Sequence, residues 1–385
     1  MNKHLMTHLF FLPKRIAQSQ IAGKLPISPW ALLCFFLISA CANDKRSSYR
    51  SVEGKTMGTY FKVTYQDSLD RDFFGPIDSL LKAVNGEIST YEPNSTISRF
   101  NKADSVFELG LDVAAYNKCL ANPGQCGPIT NQHFYTNLMA AKMAYERTQQ
   151  AFDPTIMPLV NYWGFGYTPH KAVEKVDSLM VDSLMRYVGF EKLEIGENNG
   201  LVVLKKSIPG VQLDFGGTGQ GYGIDIVAEF LELRGINNYL VDIGGESRAR
   251  GKNPNGAWWT IGINTPKPEA DVSDFTRIVQ LENMSVSTSG NYRNFHELDG
   301  QKYSHFISPI TGFPEKSTLL SVSVFGKDCL TPDALATGFM VLGLEKSFTL
   351  AAQLDGIEAL FIYSDSQGEL QYKYTPGVEK MFLEQ

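Results

Sequence analysis

A chain of 385 residues, 43% hydrophobic and 20% charged, has the composition of a globular protein and room for one large domain or two small ones. Its formal net charge of −6 argues against non-specific nucleic-acid binding, which needs a basic surface, so no nucleic-acid partner is expected. The acidic surplus is modest, is spread along the chain and says nothing positive about a substrate.

The N-terminus is more informative. Lys3, Lys14, Arg15 and Lys24 precede an apolar run, Trp30–Ala40. A helix needs about 20 residues to span a bilayer, so this run is too short to cross one and instead has the length of a signal-peptide core. It ends in Leu37-Ile38-Ser39-Ala40-Cys41, which resembles a bacterial lipobox, where small residues precede the cysteine that is lipidated and becomes the new N-terminus. The alternative is an ordinary secretory signal with a chance cysteine. We expect residues 1–40 to be a lipoprotein signal, Cys41 to carry the lipid, residues 41–50 to be a polar tether and 51–385 to be one domain. That places the protein in a bacterial cell envelope, on the periplasmic face, with a lipid holding it to the membrane. Cysteine usage agrees with export. Cys34 lies inside the signal, while Cys119 and Cys126 bracket a Pro/Gly-containing stretch where a local disulfide can form in an oxidising compartment. No Cys/His spacing reads as a zinc site.

From Ser51 onward there is no low-complexity linker, repeat or second membrane run. Thr56–Tyr65 alternates enough to be a strand, and Ile77, Leu80, Leu81, Val84 and Ile88 recur at helical spacing. Phe134–Arg147 reads as a second helix, and Val173, Val176, Leu179 and Leu184 suggest a third. Leu201–Leu204 and Val211–Leu213 flank a Pro-Gly turn, as a hairpin would. A helix is expected at Tyr222–Leu233, then strands at Tyr239–Ile243, Trp258–Ile263, Arg277–Leu281 and Leu319–Phe325. Helices at Pro332–Leu342 and Glu345–Leu354 precede closing strands at Ala359–Tyr363 and Leu370–Tyr374. Hairpins mixed with helices, without strict strand–helix alternation, argue for an α+β class in one interleaved unit.

Two nucleotide-binding readings fail on register. Gly54-Lys55-Thr56 looks like the end of a phosphate-binding P-loop, but the glycine needed five positions earlier is Tyr49. The cluster Gly216–Gly223 contains no G-x-G-x-x-G, so a dinucleotide-binding Rossmann turn is not supported.

A set of spaced signatures remains. They are Thr56-Met57-Gly58-Thr59; Ser89-Thr90-Tyr91 with Ser95, Ser98-Arg99-Phe100 and Asn101; and Ala151-Phe152-Asp153-Pro154-Thr155 with Pro158-Leu159-Val160 and Trp163-Gly164-Phe165-Gly166. Next come Leu213-Asp214-Phe215-Gly216-Gly217 leading to Gly221-Tyr222 and Asp225, then Ile243-Gly244-Gly245-Glu246. The last are Ser287-Thr288-Ser289-Gly290-Asn291-Tyr292, His305-Phe306-Ile307-Ser308-Pro309 with Thr311-Gly312, and Asp333-Ala334-Leu335-Ala336-Thr337. Each piece is weak alone. In this order they resemble the ApbE family of FAD:protein FMN transferases, over Ser51 to nearly the C-terminus.

The resemblance implies an α+β domain of mixed and antiparallel sheets with packed helices, and an Mg²⁺-dependent transfer of FMN from FAD to a threonine of another protein with release of AMP. In family terms the acceptors are flavoprotein subunits of Na⁺-pumping or electron-transport redox complexes. Transfer of this kind depends on positioning and on neutralising phosphate charge. Mg²⁺ takes hard oxygen ligands, few of them from protein. Asp333 and Thr337 stand four apart on an expected helix, so their oxygens share a side. The resemblance adds Gly217, through its main-chain carbonyl, and Ala336 to the metal set. Thr331-Pro332-Asp333 also reads as a helix start, with Thr331 as cap, and both readings can hold together.

His305 is the candidate proton acceptor for the incoming threonine, although a histidine beside Phe306 and Ile307 is otherwise a packed core residue. Asp214 is a turn former on its own evidence; the resemblance gives it to the cofactor and to catalysis. It likewise puts Met57, Tyr91, Ala151, Phe152, Asp153, Gln220 and Ile307 on FAD, with Tyr91 offering an aromatic face. Core packing is the plainer account of Met57 and Phe152, and the Trp163–Gly166 stretch, which could equally be structural, is left out of the site. Three positions depart from the family pattern: Gln220 where lysine is common, Ser308 for the aspartate after the histidine, and Glu246 for an aspartate after Gly244-Gly245. The first bears on FAD affinity, the second on the orientation of His305, and the third keeps its charge. Two other activities share these motifs, an FAD pyrophosphatase giving FMN and AMP, and a lipoprotein that binds FAD without turnover.

The lipobox reading makes a direct prediction. Cys41→Ala releases the domain from membranes or leaves it unprocessed with its signal attached; a variant that still fractionates as a processed, membrane-bound protein contradicts the assignment.

Overall fold

The first hairpin is closed by a pair of residues in unusual backbone geometry. Met57 and Gly58 both take positive φ, 49° and 74°, the requirement of the tight two-residue turn that matches strand twist. The single strand expected over Thr56–Tyr65 is therefore two strands, β1 (Ser48–Thr56) and β2 (Thr59–Asp67), paired antiparallel. The computed structural model describes residues 48–168, 175–267, 270–271, 273–292, 295–298 and 301–383. The signal segment, Cys41, tether residues 41–47 and Val173 lie outside the described residues, whereas Ser48–Arg50, expected as the end of the tether, already pair in β1.

Helices and strands follow in an order close to expectation. They are α1 (Phe74–Ile88), α2 (Thr96–Lys102), β3 (Val106–Asp112), α3 (Val113–Ala121), α4 (Gln132–Arg147), α5 (Met157–Tyr162), α6 (Ser178–Met185), β4 (Leu193–Asn198) and β5 (Leu201–Lys206). Next are α7 (Gly219–Glu232), β6 (Tyr239–Ile243), β7 (Glu246–Arg250), β8 (Trp259–Asn264), β9 (Phe275–Leu281), β10 (Ser285–Gly290), β11 (Phe295–Leu298) and β12 (Gln301–Ser304). The chain closes with β13 (Leu319–Gly326), α8 (Leu330–Leu342), α9 (Leu344–Ala351), β14 (Glu358–Ser364), β15 (Leu370–Tyr374) and α10 (Pro376–Glu379). Antiparallel pairing joins β1-β2-β6-β7-β10-β13-β14-β15 into one sheet and β3-β5-β4 into another, and β8-β9 and β11-β12 form ribbons. The class is α+β, as the sequence indicates.

The main sheet is buried on both faces. On β14, Ala359 and Phe361 pack with Phe339 and Leu335 of α8, while Leu360 and Ile362 pack with Trp259 and Val279 of the β8-β9 ribbon. That alternation follows from the two-residue period of a strand. At the other end, Phe61, Val63 and Tyr65 of β2 meet Ile77 and Leu81 of α1 and Ile224 and Val227 of α7. Cys119 and Cys126 are bridged, with Cα atoms 5.6 Å apart. Among the described residues no helix is long and apolar enough to cross a membrane.

Two local expectations are corrected by side chains acting from far along the sequence. Val211–Leu213 is not a strand, and β5 pairs instead with β3 and β4. In place of a strand neighbour, Asn101 reads the Leu213 backbone: the Leu213 N–H donates to Asn101 Oδ1 at 2.7 Å, and Asn101 Nδ2 donates to the Leu213 carbonyl at 2.9 Å. Thr331 does not cap α8, which begins one residue before it. The buried Asp225 of α7 accepts from the N–H groups of Cys329 and Leu330 at 2.9 Å, taking over donors that a helix start leaves unpaired. Burial pushes the Asp225 carboxyl up to about 6, even with Arg248 donating to it at 2.6 Å and opposing the rise.

A buried histidine ties α4 to α7: His133 is 6% exposed and its Nδ1 lies 2.7 Å from the Tyr222 hydroxyl. Burial lowers its pKa from 6.5 to about 4. A folded pKa below the unfolded one means the neutral ring contributes stability fully above pH 6.5, lost as pH falls toward 4, worth roughly 3 kcal/mol. We therefore predict that His133→Gln loses much less stability than the wild type when urea unfolding at pH 5 is compared with pH 7.5. Equal losses in the two proteins contradict this account.

Candidate active site

The helices α7 and α8 meet end to side, and glycine permits the contact. A Cβ at Gly221 would lie 2.5 Å from the Cys329 carbonyl oxygen and 2.8 Å from Asp333 Cβ. With no side chain there, the Gly221 N–H donates to Asp333 Oδ2 at 2.9 Å, which sets a carboxylate at the positive end of α7. One turn later on α8 stands Thr337, whose hydroxyl is 3.5 Å from that of Ser289 on β10. The chain before α7 comes equally close: a Cβ at Gly217 would lie 2.8 Å from Thr337 Oγ1 and 2.9 Å from the Phe152 ring.

These groups border a cavity of about 400 Å³. Asp333, Thr337, Gly217, Glu246 and Ser289 lie along it, with His305 and Phe165 also in its lining. A second cavity, of about 780 Å³, opens beside it and is lined by Met57, Asn85, Ile88 and Phe215 among others. Thr90, Tyr91, Asp214, Gly216 and Gln220 line both, so the two are lobes of one cleft with those residues at the junction.

The structure gathers nearly all of the expected site. Ala151, Phe152, Asp153, Asp214, Gly217, Gln220, His305, Ile307, Asp333, Thr337 and Tyr91 line the first lobe, and Met57 lines the second. Ala336 is the one that lines neither; it is fully buried with Phe339 and Leu335.

Several of these residues also carry structural tasks, those of Asp214, Met57 and His305 as foreseen. Asp214 Oδ1 accepts from the Gly216 N–H at 2.9 Å, and its own N–H donates to the Pro154 carbonyl at 2.7 Å. Asp153 accepts from the backbone and hydroxyl of Thr155 at 2.8 and 2.6 Å. Met57 packs against two core clusters from its turn. Tyr91 is 68% exposed at the junction, and His305 sits against Phe306 and Phe165 with ring centroids 4.1 and 6.1 Å away.

Sequence reasoning left out four lining residues that matter. Trp163 is structural, its Nε1 donating to the Gly312 carbonyl at 2.9 Å, but Phe165 and Gly166 of the same stretch face the first lobe. Ser289 sat inside a quoted signature and was not singled out. Glu246 was noted only as a change that keeps charge.

Electrostatics make Glu246 conspicuous. Asp333 is 4% exposed and Glu246 is 9% exposed. Among the described residues neither pairs with a lysine or arginine. Burial raises the pKa of Asp333, with the Gly221 N–H and the Ser287 hydroxyl opposing it. Burial also raises Glu246, and the charge of Asp333 adds to that rise. Oε2 of Glu246 is buried with no hydrogen-bond partner. Two buried carboxylates without a cationic side chain, beside the Thr337 hydroxyl and the Gly217 backbone, make a set of hard-oxygen residues suited to a divalent cation. Among the described residues no group of three or more His, Cys, Asp or Glu converges, so the protein offers such an ion few charged ligands.

Comparison with known proteins gives this cleft its context. The ApbE family model matches residues 57–361. An FAD:protein FMN transferase of Vibrio cholerae is 34% identical over 346 residues, covering 89% of this chain and 95% of the relative. The solved flavin transferase ApbE from Vibrio cholerae superposes with a TM-score of 0.74 at 32% identity, covering 87% of this chain and 99% of that one. The apo flavinyl transferase ApbE of Pseudomonas stutzeri gives a TM-score of 0.72 at 31% identity, covering 87% and 97%. The chain belongs to the ApbE family.

Proposed function

We propose that this chain is an FAD:protein FMN transferase that moves the FMN half of FAD onto a threonine hydroxyl of an exported or membrane flavoprotein and releases AMP. The observation that carries the reading is the bilobed cleft, whose junction residues Thr90, Tyr91, Asp214, Gly216 and Gln220 stand between two spaces, as a dinucleotide with two large ends requires. The names of the relatives support the same activity.

In this scheme the acceptor threonine oxygen forms a bond to the FMN phosphorus while the pyrophosphate P–O bond to AMP breaks. His305, in the wall of the first lobe, takes the threonine proton. Asp333, Thr337 and the Gly217 carbonyl would hold Mg²⁺, which when bound neutralises phosphate charge during the transfer. The N-terminus of α7 adds a favourable place for phosphate beside Gly216 and Gly217. Tyr91 hangs over the junction from an exposed position, where its ring limits the approach of water until a protein acceptor docks. The Cys119–Cys126 bridge supports an oxidising compartment, and the lipid anchor on Cys41 at the periplasmic face of a membrane rests on the lipobox.

AMP release and covalent flavin on the denatured acceptor band test the proposal together. With FAD and Mg²⁺ alone the wild type should release AMP slowly; with acceptor, AMP and flavinylated acceptor should rise in step. Asp333→Ala should lower the rate by about 10²–10³, the scale of losing one electrostatic contact at a transition state. Tyr91→Asn should raise acceptor-free AMP release. Rapid AMP production by the wild type with no fluorescent acceptor identifies a pyrophosphatase instead, and FAD binding without any AMP identifies a binding lipoprotein.

A further inference from the structure

We propose that Glu246 is an additional ligand of the divalent cation, and that it lets this chain hold the ion before FAD arrives. The inference rests on the reading of the first lobe as a cation site and extends it to a residue that neither the motif pattern nor the comparisons assign.

Backbone geometry fixes where Glu246 points. Gly244 and Gly245 take φ of 67° and 109°, and they turn β6 into β7 so tightly that Ile243 and Glu246 pair directly. Glycine takes both conformations at no steric cost. Glu246 is therefore the first residue of its strand, with no slack between the turn and the sheet. Its side chain is 91% buried yet lines the same lobe as Asp333, Thr337 and Gly217.

Chemistry narrows its role. Nearby, Asp214 and Asp153 each brace their own turn through Oδ1. Glu246 Oε2 has no donor, and no lysine or arginine among the described residues pairs with it. Burial drives such a group toward its neutral form unless a cation meets its charge. Gln220 does not supply that charge: its amide nitrogen reaches toward the turn, 2.5 Å from where a Gly244 Cβ would stand, but it is neutral. With Glu246 the protein offers two anionic and two neutral hard oxygens. That set approaches what a divalent cation needs without help from a pyrophosphate.

The test is a titration of the full chain in detergent with Mn²⁺, following free Mn²⁺ by electron paramagnetic resonance, without FAD and then with it. The wild type should bind one Mn²⁺ per chain without FAD, in competition with Mg²⁺. Glu246→Gln should weaken this binding by at least about 10–100-fold, the loss that even an outer-shell partner of a metal ligand causes, and Glu246→Asp should fall between. Unfolding midpoints in chelator keep the comparison fair, since Glu246→Gln removes an unpaired buried charge and should be no less stable than the wild type. If Glu246→Gln binds as tightly as the wild type while Asp333→Asn does not, Glu246 is no ligand and the cation site itself stands. If the wild type and Asp333→Asn bind equally poorly, with FAD as well as without, the cation reading fails and this inference with it.

Discussion

The close approach of α7 to α8 is the constraint on which the rest of the site depends. It requires no side chain at Gly221, because the Cys329 carbonyl and Asp333 Cβ already occupy that space. The gap is then used twice. The Gly221 N–H orients Asp333, and Asp225, one turn further along α7, holds the first free N–H groups of α8. Arg248 clamps Asp225 and also reaches Glu232, whose other oxygen meets Arg250 at 2.7 Å, so the contact is braced from β7 as well. A side chain at position 221 would therefore move a helix, a carboxylate and a cap at once. The direct consequence for function is that Asp333 and Thr337 are presented on a rigid element, which positional precision at a reacting centre demands.

Charge balance is the second theme. Most buried carboxylates here are answered by protein donors: Asp67 by a bidentate Arg71, Asp225 by Arg248 and two backbone N–H groups, Asp153 by Thr155. Asp67 shows the usual result, its carboxyl lowered to about 2, chiefly by the Arg71 hydrogen bonds. Asp333 and Glu246 depart from that habit in the one place where the cleft is lined by hydroxyls and carbonyls. Where a fold answers its buried charges with protein donors elsewhere and leaves one carboxylate oxygen, Glu246 Oε2, without any beside a second buried acid, the shortfall marks a binding site more than a packing fault.

Much of this was legible in the sequence because the signals are local. Helices such as α1 and α4, and strands such as β6 and β15, announce themselves by apolar spacing. The family signatures bring the cleft residues into view since each sits on a short stretch of its own. What stayed hidden is tertiary. Asn101 and Leu213 are 112 residues apart, as are Gly221 and Asp333, and no periodicity links them. The Met57-Gly58 turn lacks the Asn-Gly or Asp-Gly chemistry that advertises a hairpin, so β1 and β2 read as one strand. β10, with the sequence Ser-Val-Ser-Thr-Ser-Gly, is too polar to read as a strand, although its hydroxyls help to line the site. Glu246 looked like a conservative change because its importance lies in the partner it lacks.

The central claim is that one cleft holds both halves of FAD with the pyrophosphate at the oxygens of α8. A crystal structure of the chain grown with FAD and Mn²⁺, with the ion located by its anomalous signal, tests it most directly. The account predicts a single strong peak within bonding distance of Asp333 and Thr337, shared with pyrophosphate oxygens, and the two ends of FAD in the two lobes on either side of Tyr91 and Gln220. A pyrophosphate bound away from Asp333, or both ends of FAD confined to one lobe, would contradict it.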